Sequence, residues 1–405
     1  MGPKTIAVDR QDGEPRVVSG ERVFLNLGTR ASLPATPGPA EAAPMTHVEL
    51  LDLNRVPEHL IVIGGGYVGL ELAQAMRRFG SEVTVIESGG QLAGREDPDV
   101  GAALLELFRD EGIRVLLDAE VRELTGRSGD GVRIRAAGTI GEETIEGTDL
   151  LVAAGRTPNT DELDAELGGV ELDGRGYVIV NERLETTAPD VWALGDCAGS
   201  PQFTHVAFDD FRIVRDNLNG GNRTTRDRLI PFCMFTDPEL GRVGLNEREA
   251  RSRQIPYRIA QMPMAAVLRT RTISEPRGFM KMLVDEGSDR ILGFTVFGAE
   301  ASELLATVQT AMIGQLPFTA LRDALFTHPT AAEGLTVLLA DLASRSEANP
   351  RTSFCVTSAR ATLPVREAAS TPYSPSPEPT ETGQPGFDCA WCLPRPTPQV
   401  SFTYR

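Results

Sequence analysis

The pattern of hydrophobic and polar positions predicts alternating strands and helices from about Met45 onward. The apolar run His59–Ile63 is typical of a strand buried on both faces of a parallel sheet. Residues 70–79 have the apolar spacing of a helix that ends at Gly80, and Glu82–Ile86 follows as a second strand. Because the two strands flank one helix, these segments predict a right-handed βαβ unit.

The remaining pattern predicts further elements and a change of architecture near residue 229. Before that point the pattern indicates helices at 98–109 and 203–217, and strands at 21–28, 113–117, 132–134, 149–154, 177–180 and 191–192. A connector rich in Pro and Ala lies at residues 33–44. After residue 229 the pattern predicts paired strands at 278–284 and 290–296 and helices at 300–313 and 331–342, which indicate an α+β domain.

Composition and charge exclude several classes of function. The chain has 405 residues and a formal net charge of −17, which argues against binding to nucleic acid or to an anionic membrane surface. No apolar run is long enough to span a bilayer, and the first residues lack a hydrophobic signal region. Five cysteines are too few for a disulfide scaffold, so we expect a cytoplasmic location.

The segment 346–405 differs from the rest of the chain. It contains ten of the 28 prolines, together with many Ser and Thr residues, and we expect it to be disordered. Cys389 and Cys392 within it have the spacing of a redox dithiol. No helix pattern follows them that would lower a thiol pKa, and we therefore interpret the pair as incidental.

A glycine motif carries the strongest candidate chemistry. Gly64, Gly66 and Gly69 form a G-x-G-x-x-G that directly follows the predicted strand and opens the predicted helix. In that context Gly64 permits a tight turn, Gly66 admits a pyrophosphate and Gly69 allows close helix packing. Glu87 ends the next strand, where a carboxylate accepts hydrogen bonds from ribose hydroxyls. The alternative is a glycine turn that only tightens packing.

Two further motifs each leave a functional and a structural alternative open. Gly195 and Asp196 follow a predicted strand, where the carboxylate either binds a ligand hydroxyl or caps a turn. His328 precedes a proline, and Glu333 lies five residues later, so the carboxylate is able to orient the imidazole and raise its basicity. A lone histidine is more often structural than catalytic.

Taken in order, these motifs resemble those of the flavin-dependent pyridine nucleotide–disulfide oxidoreductases, which include glutathione reductase, lipoamide dehydrogenase and mercuric reductase. The resemblance runs from about Val23 to Leu342 and also includes residues 27–30, 153–159 and 235–244. It implies an α/β fold with Rossmann-like FAD- and NAD(P)-binding domains and a C-terminal α+β dimerisation domain.

The resemblance also implies roles for individual residues. Gly28, Gly195 and Asp196 would lie at the flavin, with Asp196 on a ribityl hydroxyl, and Gly155 would be a cofactor-binding residue at the return between the domains. Tyr67 would gate the nicotinamide pocket and Glu71 would lie near the nicotinamide, while His328 and Glu333 would form an acid–base dyad offered to the partner subunit's flavin. We therefore expect FAD and a nicotinamide nucleotide as cofactors and a homodimer as the assembly, with no metal, nucleic acid or membrane site.

The sequence departs from the family pattern in its first part. The family begins with a second G-x-G-x-x-G, for the ADP half of FAD, and a C-x-x-x-x-C redox pair, and this sequence contains neither. We therefore interpret residues 1–44 as a remnant of the FAD-binding domain and expect an N-terminal truncation with weak or no FAD binding. The other predicted units are an NAD(P)-binding domain at 45–160, the second part of the FAD-binding domain at 161–228, a dimerisation domain at 229–345 and the segment 346–405.

Two functional hypotheses follow from these features. The first is an FAD-dependent oxidoreductase that takes hydride from NAD(P)H and reduces a disulfide, a metal ion or a small oxidant, as in the mercuric-reductase-like branch of the family. The second is a non-catalytic module that binds a nicotinamide nucleotide and dimerises without flavin. Glu87 favours NADH over NADPH, because a carboxylate repels a 2′-phosphate, although Arg95 lies close by in the sequence.

Overall fold

A computed structural model describes residues 4–10, 13–33, 38–138 and 141–343. The first described strands are β1 (Thr5–Arg10), β2 (Gly13–Ser19), β3 (Val23–Leu25) and β4 (Thr29–Ala31). β1 and β2 form an antiparallel hairpin. The prediction of one strand over residues 21–28 is wrong in its extent, because the chain turns at Gly28, with φ of 65°, between β3 and β4.

The predicted βαβ unit forms the centre of the molecule. The short helices α1 (Pro39–Ala42) and α2 (His47–Leu51) precede it. The unit consists of β5 (His59–Ile63), α3 (Tyr67–Phe79) and β6 (Glu82–Ile86), and α4 (Pro98–Asp110) and β7 (Arg114–Leu116) extend it. An antiparallel meander follows, made of β8 (Glu120–Arg127), β9 (Gly131–Gly138) and β10 (Gly141–Gly147), and then comes β11 (Asp149–Val152). The parallel sheet has the order β11-β5-β6-β7, so β5 is a central strand, as its apolar run predicts.

The next segment returns to the strands at the front of the chain. It contains β12 (Arg156–Pro158), β13 (Val191–Ala193) and α5 (Thr204–Leu218). β12 pairs antiparallel with β4, and β13 pairs parallel with β3. The predicted strand at 177–180 is wrong, because the chain turns just before it and Asp173 accepts hydrogen bonds from the backbone of Arg175 and Tyr177. Val178 and Val180 make only isolated bridges to neighbouring residues.

The last described part is built on an antiparallel sheet with the order β14-β15-β18-β17-β16. Its elements are β14 (Pro231–Met234), β15 (Glu239–Gly244), α6 (Glu247–Ser252), β16 (Tyr257–Pro263), α7 (Leu268–Thr272), β17 (Phe279–Asp285), β18 (Ile291–Gly298), α8 (Ala301–Ile313), α9 (Phe318–Arg322) and α10 (Gly334–Leu339). The predicted helix at 331–342 is shorter than expected, because residues 331–333 form a turn closed by the bond from Gly334 N–H to the Ala331 carbonyl.

The parallel sheet and the C-terminal sheet share one hydrophobic core. Met234, Leu240 and Phe297 of the C-terminal sheet lie in the same buried cluster as Leu60 and Leu104 of the βαβ unit. Buried apolar area therefore fixes the two sheets against each other. None of the helices in the described residues has the length and apolar character needed to cross a membrane. The predictions for the segment 346–405, Cys389 and Cys392 included, lie outside the described residues.

Candidate functional site

The glycine turn between β5 and α3 has the geometry of an anion-binding loop. Gly64 has φ of 110°, and a Cβ atom there would lie 2.4 Å from the Ala153 carbonyl oxygen. At Gly69 a Cβ would lie 2.1 Å from the Gly64 carbonyl oxygen, so this residue permits the close approach of helix and strand. A Cβ at Gly66 meets no atom within 4 Å. The open space beside Gly66 faces the N-terminus of α3, where helix N–H groups favour a bound phosphate.

Glu87 lies directly after β6 and its carboxylate closes one side of this turn. Its Oε2 accepts a hydrogen bond of 2.6 Å from the Gly65 N–H, and its Oε1 accepts one of 2.7 Å from the Gly89 N–H. The carboxylate is therefore held in place at the carboxyl end of the parallel sheet. In a βαβ nucleotide site this position borders the ribose.

Tyr67 and Glu71 project from the first two turns of α3. The Tyr67 hydroxyl donates to Glu96 Oε1 at 2.8 Å, and the Glu71 carboxylate accepts a hydrogen bond of 2.6 Å from the Phe235 N–H at the end of β14. Burial raises the pKa of Tyr67, and the Glu96 charge raises it further. Burial also raises the pKa of Glu71. Both side chains are thus fixed near the glycine turn, and Tyr67 keeps its proton at neutral pH.

A second group of residues surrounds Asp196, which follows β13. Thr29 donates its hydroxyl to Asp196 Oδ2 at 2.6 Å, and Arg156 donates from Nε to the Thr29 hydroxyl oxygen at 2.6 Å. Arg156 also donates to the Thr29 carbonyl at 2.7 Å. β4, β12 and the turn after β13 therefore meet at one carboxylate, which has the chemistry to accept a hydrogen bond from a ligand hydroxyl.

Asp210 is a residue of this group that the sequence did not reveal. It is fully buried on α5, and its Oδ2 accepts hydrogen bonds from the Gly195 N–H at 2.9 Å and the Ser200 hydroxyl at 2.7 Å. Its Oδ1 accepts from Arg228 at 2.6 Å. Asp210 thus holds the turn that presents Asp196. An acidic residue inside a helix pattern carries no signal of such a contact in a single sequence.

Gly28 and Gly155 lie at the paired strands β4 and β12. Gly155 has φ of 133°, and its carbonyl accepts a hydrogen bond from the Ser32 N–H at 3.0 Å. The Gly28 carbonyl accepts one from the Asn159 N–H at 3.2 Å. The predicted glycines therefore border the same strand pair that carries Thr29 and Arg156.

His328 and Glu333 form a pair of their own. The His328 Nδ1 atom lies 2.9 Å from both carboxylate oxygens of Glu333. The His328 side chain is 61% exposed, so the imidazole is accessible from solvent. The carboxylate therefore orients an accessible imidazole, which is the arrangement of a general acid–base group and its orienting residue.

Cys233 of β14 lines a cavity of about 230 Å³ between the start of α5 and helix α8. Burial raises the pKa of its thiol to about 12, with further contributions from Glu239 and Glu71. Cys197 and Cys233 have no cysteine near them in the sequence, which predicts two buried, small apolar side chains. The Cys233 side chain is half-buried, so this prediction is only partly correct for Cys233. Cys197 is fully buried, as predicted. At neutral pH the Cys233 thiol stays protonated and is a poor nucleophile.

Comparison with family models identifies the chain. A model described as pyridine nucleotide-disulphide oxidoreductase matches residues 1–210, and a model of the dimerisation domain of the same family matches residues 230–338. The chain belongs to the pyridine nucleotide-disulphide oxidoreductase family. The resemblance inferred from the motifs is therefore confirmed, as is the fold class with a dimerisation domain.

Known members of the pyridine nucleotide-disulphide oxidoreductase family are similar over most of this chain. The probable pyridine nucleotide-disulfide oxidoreductase RclA of Escherichia coli is 35% identical over 338 residues, which cover 82% of this chain and 75% of RclA. A mercuric reductase of Acidithiobacillus ferrooxidans is 34% identical over 82% of this chain and 60% of its own length. The chain thus spans about three quarters of RclA and about three fifths of the mercuric reductase.

Solved structures of this family have the same fold. The Cu(II) complex of the HOCl-induced flavoprotein disulfide reductase RclA from Escherichia coli matches with a TM-score of 0.79 and 34% identity, over 84% of this chain and 77% of that one. LpdA from Mycobacterium tuberculosis matches with a TM-score of 0.75 and 28% identity, over 85% of this chain and 75% of that one.

Proposed function

We propose that this chain is an NAD(P)H-dependent flavin oxidoreductase that delivers electrons to a disulfide, a metal ion or a small oxidant. The observation that carries the proposal is the open space at Gly66 between the N-terminus of α3 and the Glu87 carboxylate, which suits a dinucleotide pyrophosphate and its ribose. The names of the similar proteins, a flavoprotein disulfide reductase and a mercuric reductase, support the acceptor classes.

The residues of the candidate site would form two cofactor sites, one for the nicotinamide nucleotide and one for FAD. Gly64, Gly66 and Gly69 would admit the pyrophosphate and Glu87 would bind the ribose, while Tyr67 and Glu71 would border the nicotinamide. Asp196, held by Thr29, would accept a hydrogen bond from a ribityl hydroxyl of FAD. When bound, the nicotinamide supplies a hydride and the flavin passes the electron pair on to the acceptor. His328, oriented by Glu333, would give or take the proton that accompanies reduction of the acceptor.

The residues present fit FAD in part. The Asp196 carboxylate and the turns at Gly28 and Gly195 suit the ribityl portion of the cofactor. The sequence contains one G-x-G-x-x-G, which lies between β5 and α3 and which we assign to the nicotinamide nucleotide. Residues 1–405 therefore contain no second turn of that form for the ADP half of FAD. We therefore propose weak FAD binding to residues 1–405, because helix N–H groups at such a turn normally stabilise the pyrophosphate charge.

The visible absorption spectrum of the purified chain, recorded before and after removal of free flavin and addition of FAD, tests this function. Assays of NADH-dependent reduction of a disulfide, Hg²⁺ or Cu²⁺ then test turnover. Activity that requires FAD and is lost in His328→Ala supports the oxidoreductase. A chain that binds NADH but never retains flavin or turns over supports the second candidate, a nicotinamide-binding and dimerisation module, which the absence of a C-x-x-x-x-C pair from the sequence favours.

The nucleotide preference is a separate prediction. We expect NADH to bind more tightly than NADPH, because the Glu87 carboxylate, held by the Gly65 and Gly89 N–H groups, would accept from a 2′-hydroxyl and repel a 2′-phosphate. Fluorescence titration with each nucleotide measures the two dissociation constants. Tighter binding of NADPH would overturn the prediction, and Glu87→Gln should reduce the difference between the two nucleotides.

We also propose that the chain forms a homodimer through residues 229–345 in the cytoplasm. The match to the family's dimerisation domain and the exposed apolar side chains of Ile313, Leu316 and Leu325 support this assembly. Light scattering at micromolar concentration should give twice the mass of one chain. A mass of one chain under those conditions would contradict the proposal.

A further inference from the structure

The Tyr67 hydroxyl is tied into a buried ion pair. Its acceptor, Glu96, lies just before α4 and is 1% exposed, and the second oxygen of this carboxylate accepts from Arg242 Nε at 2.8 Å. Arg242 lies on β15 and is 4% exposed. It also donates to the Gly244 carbonyl at 3.0 Å and to Glu249 at 3.2 Å. The carboxylate that holds Tyr67 is therefore itself held by the C-terminal sheet.

A chain of aromatic contacts also links Arg242 back to the Tyr67 ring. The Arg242 guanidinium lies 4.6 Å from the centre of the Phe232 ring, and Phe232 meets Phe203 edge to face at 5.4 Å. Phe203 in turn meets the Tyr67 ring at 6.4 Å. Phe203 is the N-cap of α5, so these contacts join α3 of the βαβ unit, α5 and the C-terminal sheet.

The hydrogen bond from the Tyr67 hydroxyl to Glu96 is stronger than an ordinary hydrogen bond at the surface. A hydroxyl that donates to a carboxylate makes a charge-assisted bond, and burial strengthens it because water does not compete. If the Tyr67 ring moved away, the buried Glu96 oxygen would lose its donor, which is costly. The ring is therefore held in the position seen here.

We propose that Glu96 and Arg242 are positioning residues that latch Tyr67 over the nicotinamide end of the dinucleotide site and so lower its affinity for NADH. This inference rests on the proposed function, in which Tyr67 gates the nicotinamide pocket. A nucleotide that displaces the ring must first break the bond to Glu96. Apparent affinity is then reduced by the fraction of molecules whose latch is open.

A double-mutant cycle on NADH binding tests the latch. Glu96→Gln replaces a charge-assisted bond with a neutral one, and Tyr67→Phe removes the hydroxyl, so each should tighten NADH binding by about fivefold or more. In Tyr67→Phe the further change Glu96→Gln should alter the dissociation constant by less than about twofold, because Glu96 acts through the hydroxyl. Additive effects, or no tightening by Tyr67→Phe, would overturn the proposal. Should Glu96→Gln fail to fold, Tyr67→Phe alone decides the outcome.

Glu247→Gln is the matched control. Glu247 is another carboxylate at the junction of the same two sheets, bound to Lys281 at 3.1 Å. Its neutralisation should leave NADH binding unchanged whatever it does to stability. A shift in NADH binding as large as that of Glu96→Gln would assign both effects to general loosening and contradict the latch.

Tyrosine ionisation provides a readout that does not need the nucleotide. Burial makes the largest contribution to the raised pKa of Tyr67. Of the titratable groups that face the hydroxyl, Glu96 and Cys233 raise this pKa further and Arg242 lowers it. Ultraviolet titration should show one tyrosine that ionises at lower pH in Glu96→Gln than in the unmodified chain. If this shift appears but NADH does not bind, the hydrogen bond stands while the proposed function and the latch built on it both fail. If NADH binds and neither signal changes, the latch alone fails.

Discussion

Gly66→Ala is expected to weaken NADH binding by tenfold or more while leaving the stability of the chain unchanged. The residue has φ of −85° and ψ of −179°, an extended conformation that alanine adopts freely. Its Cβ would meet no protein atom within 4 Å, so the folded chain accepts it. The added methyl group would instead occupy the space where a pyrophosphate approaches the backbone, and a tenfold loss corresponds to about 1.4 kcal/mol.

The measurements for this prediction are a fluorescence titration with NADH and a urea unfolding curve. Gly168→Ala is the matched control, since a Cβ at Gly168 also meets nothing within 4 Å but lies far along the chain from the glycine turn. It should change neither quantity. An unchanged NADH affinity in Gly66→Ala would mean that no ligand approaches the chain at this glycine.

Lys281→Met is expected to lower the free energy of unfolding by about 3–5 kcal/mol. The Lys281 side chain is fully buried, and its ammonium group donates to Asp97 at 2.8 Å, Asp99 at 2.9 Å and Glu247 at 3.1 Å. Methionine keeps most of the apolar stem but leaves the carboxylates without their buried cation. Denaturant unfolding measures the loss.

Arg133→Met is the control for this substitution. Arg133 pairs with Glu146 at the surface, where both side chains are more than 60% exposed, so its removal should cost less than about 1 kcal/mol. A loss for Lys281→Met no larger than that of the control would show that the cluster does not stabilise the junction.

The pH dependence of the Lys281→Met effect has a definite sign. Burial alone would raise the pKa of Asp97, but the hydrogen bonds from Lys281 and from the backbone of Arg248 and Glu247 outweigh it and lower that pKa. A lowered folded-state pKa contributes stability above the ordinary aspartate value of 3.8, and this stability is lost as the pH falls through the folded-state value. The difference in unfolding free energy between Lys281→Met and the unmodified chain should therefore be largest near neutral pH and shrink below pH 4.

The sequence predicted the parts of the fold that depend on local pattern. The run His59–Ile63 and the glycines after it predicted the positions of β5, α3 and the glycine turn between them, because periodicity and turn chemistry are encoded within a few residues. The pairing of His328 with Glu333 was also predictable, since the two residues are only five positions apart in the sequence.

The contacts that join distant segments were not predictable from one sequence. Glu96 and Arg242 are 146 positions apart, and each appears in the sequence as an ordinary surface charge. Asp210 likewise has the spacing of a helix residue, and only the packing of α5 under the turn shows that it holds Gly195. The short strands β3 and β13 were located, but their extent depends on partners more than 160 residues away. The extent of such strands and the partners of such charged side chains therefore depend on tertiary contacts, which local propensity does not determine.

Asp97 precedes α4, yet its carboxylate accepts hydrogen bonds from the backbone N–H groups of Glu247 and Arg248 at the start of α6. The first N–H groups of α6 are thus bound by a residue of the preceding part of the chain, in addition to the helix's own N-cap, Asn246. A chimera joined near residue 229 would need to carry compatible residues at Asp97 and Lys281 together. Otherwise the first N–H groups of α6 would lose the Asp97 carboxylate as an acceptor, or one of the two residues would be left with an unmatched buried charge.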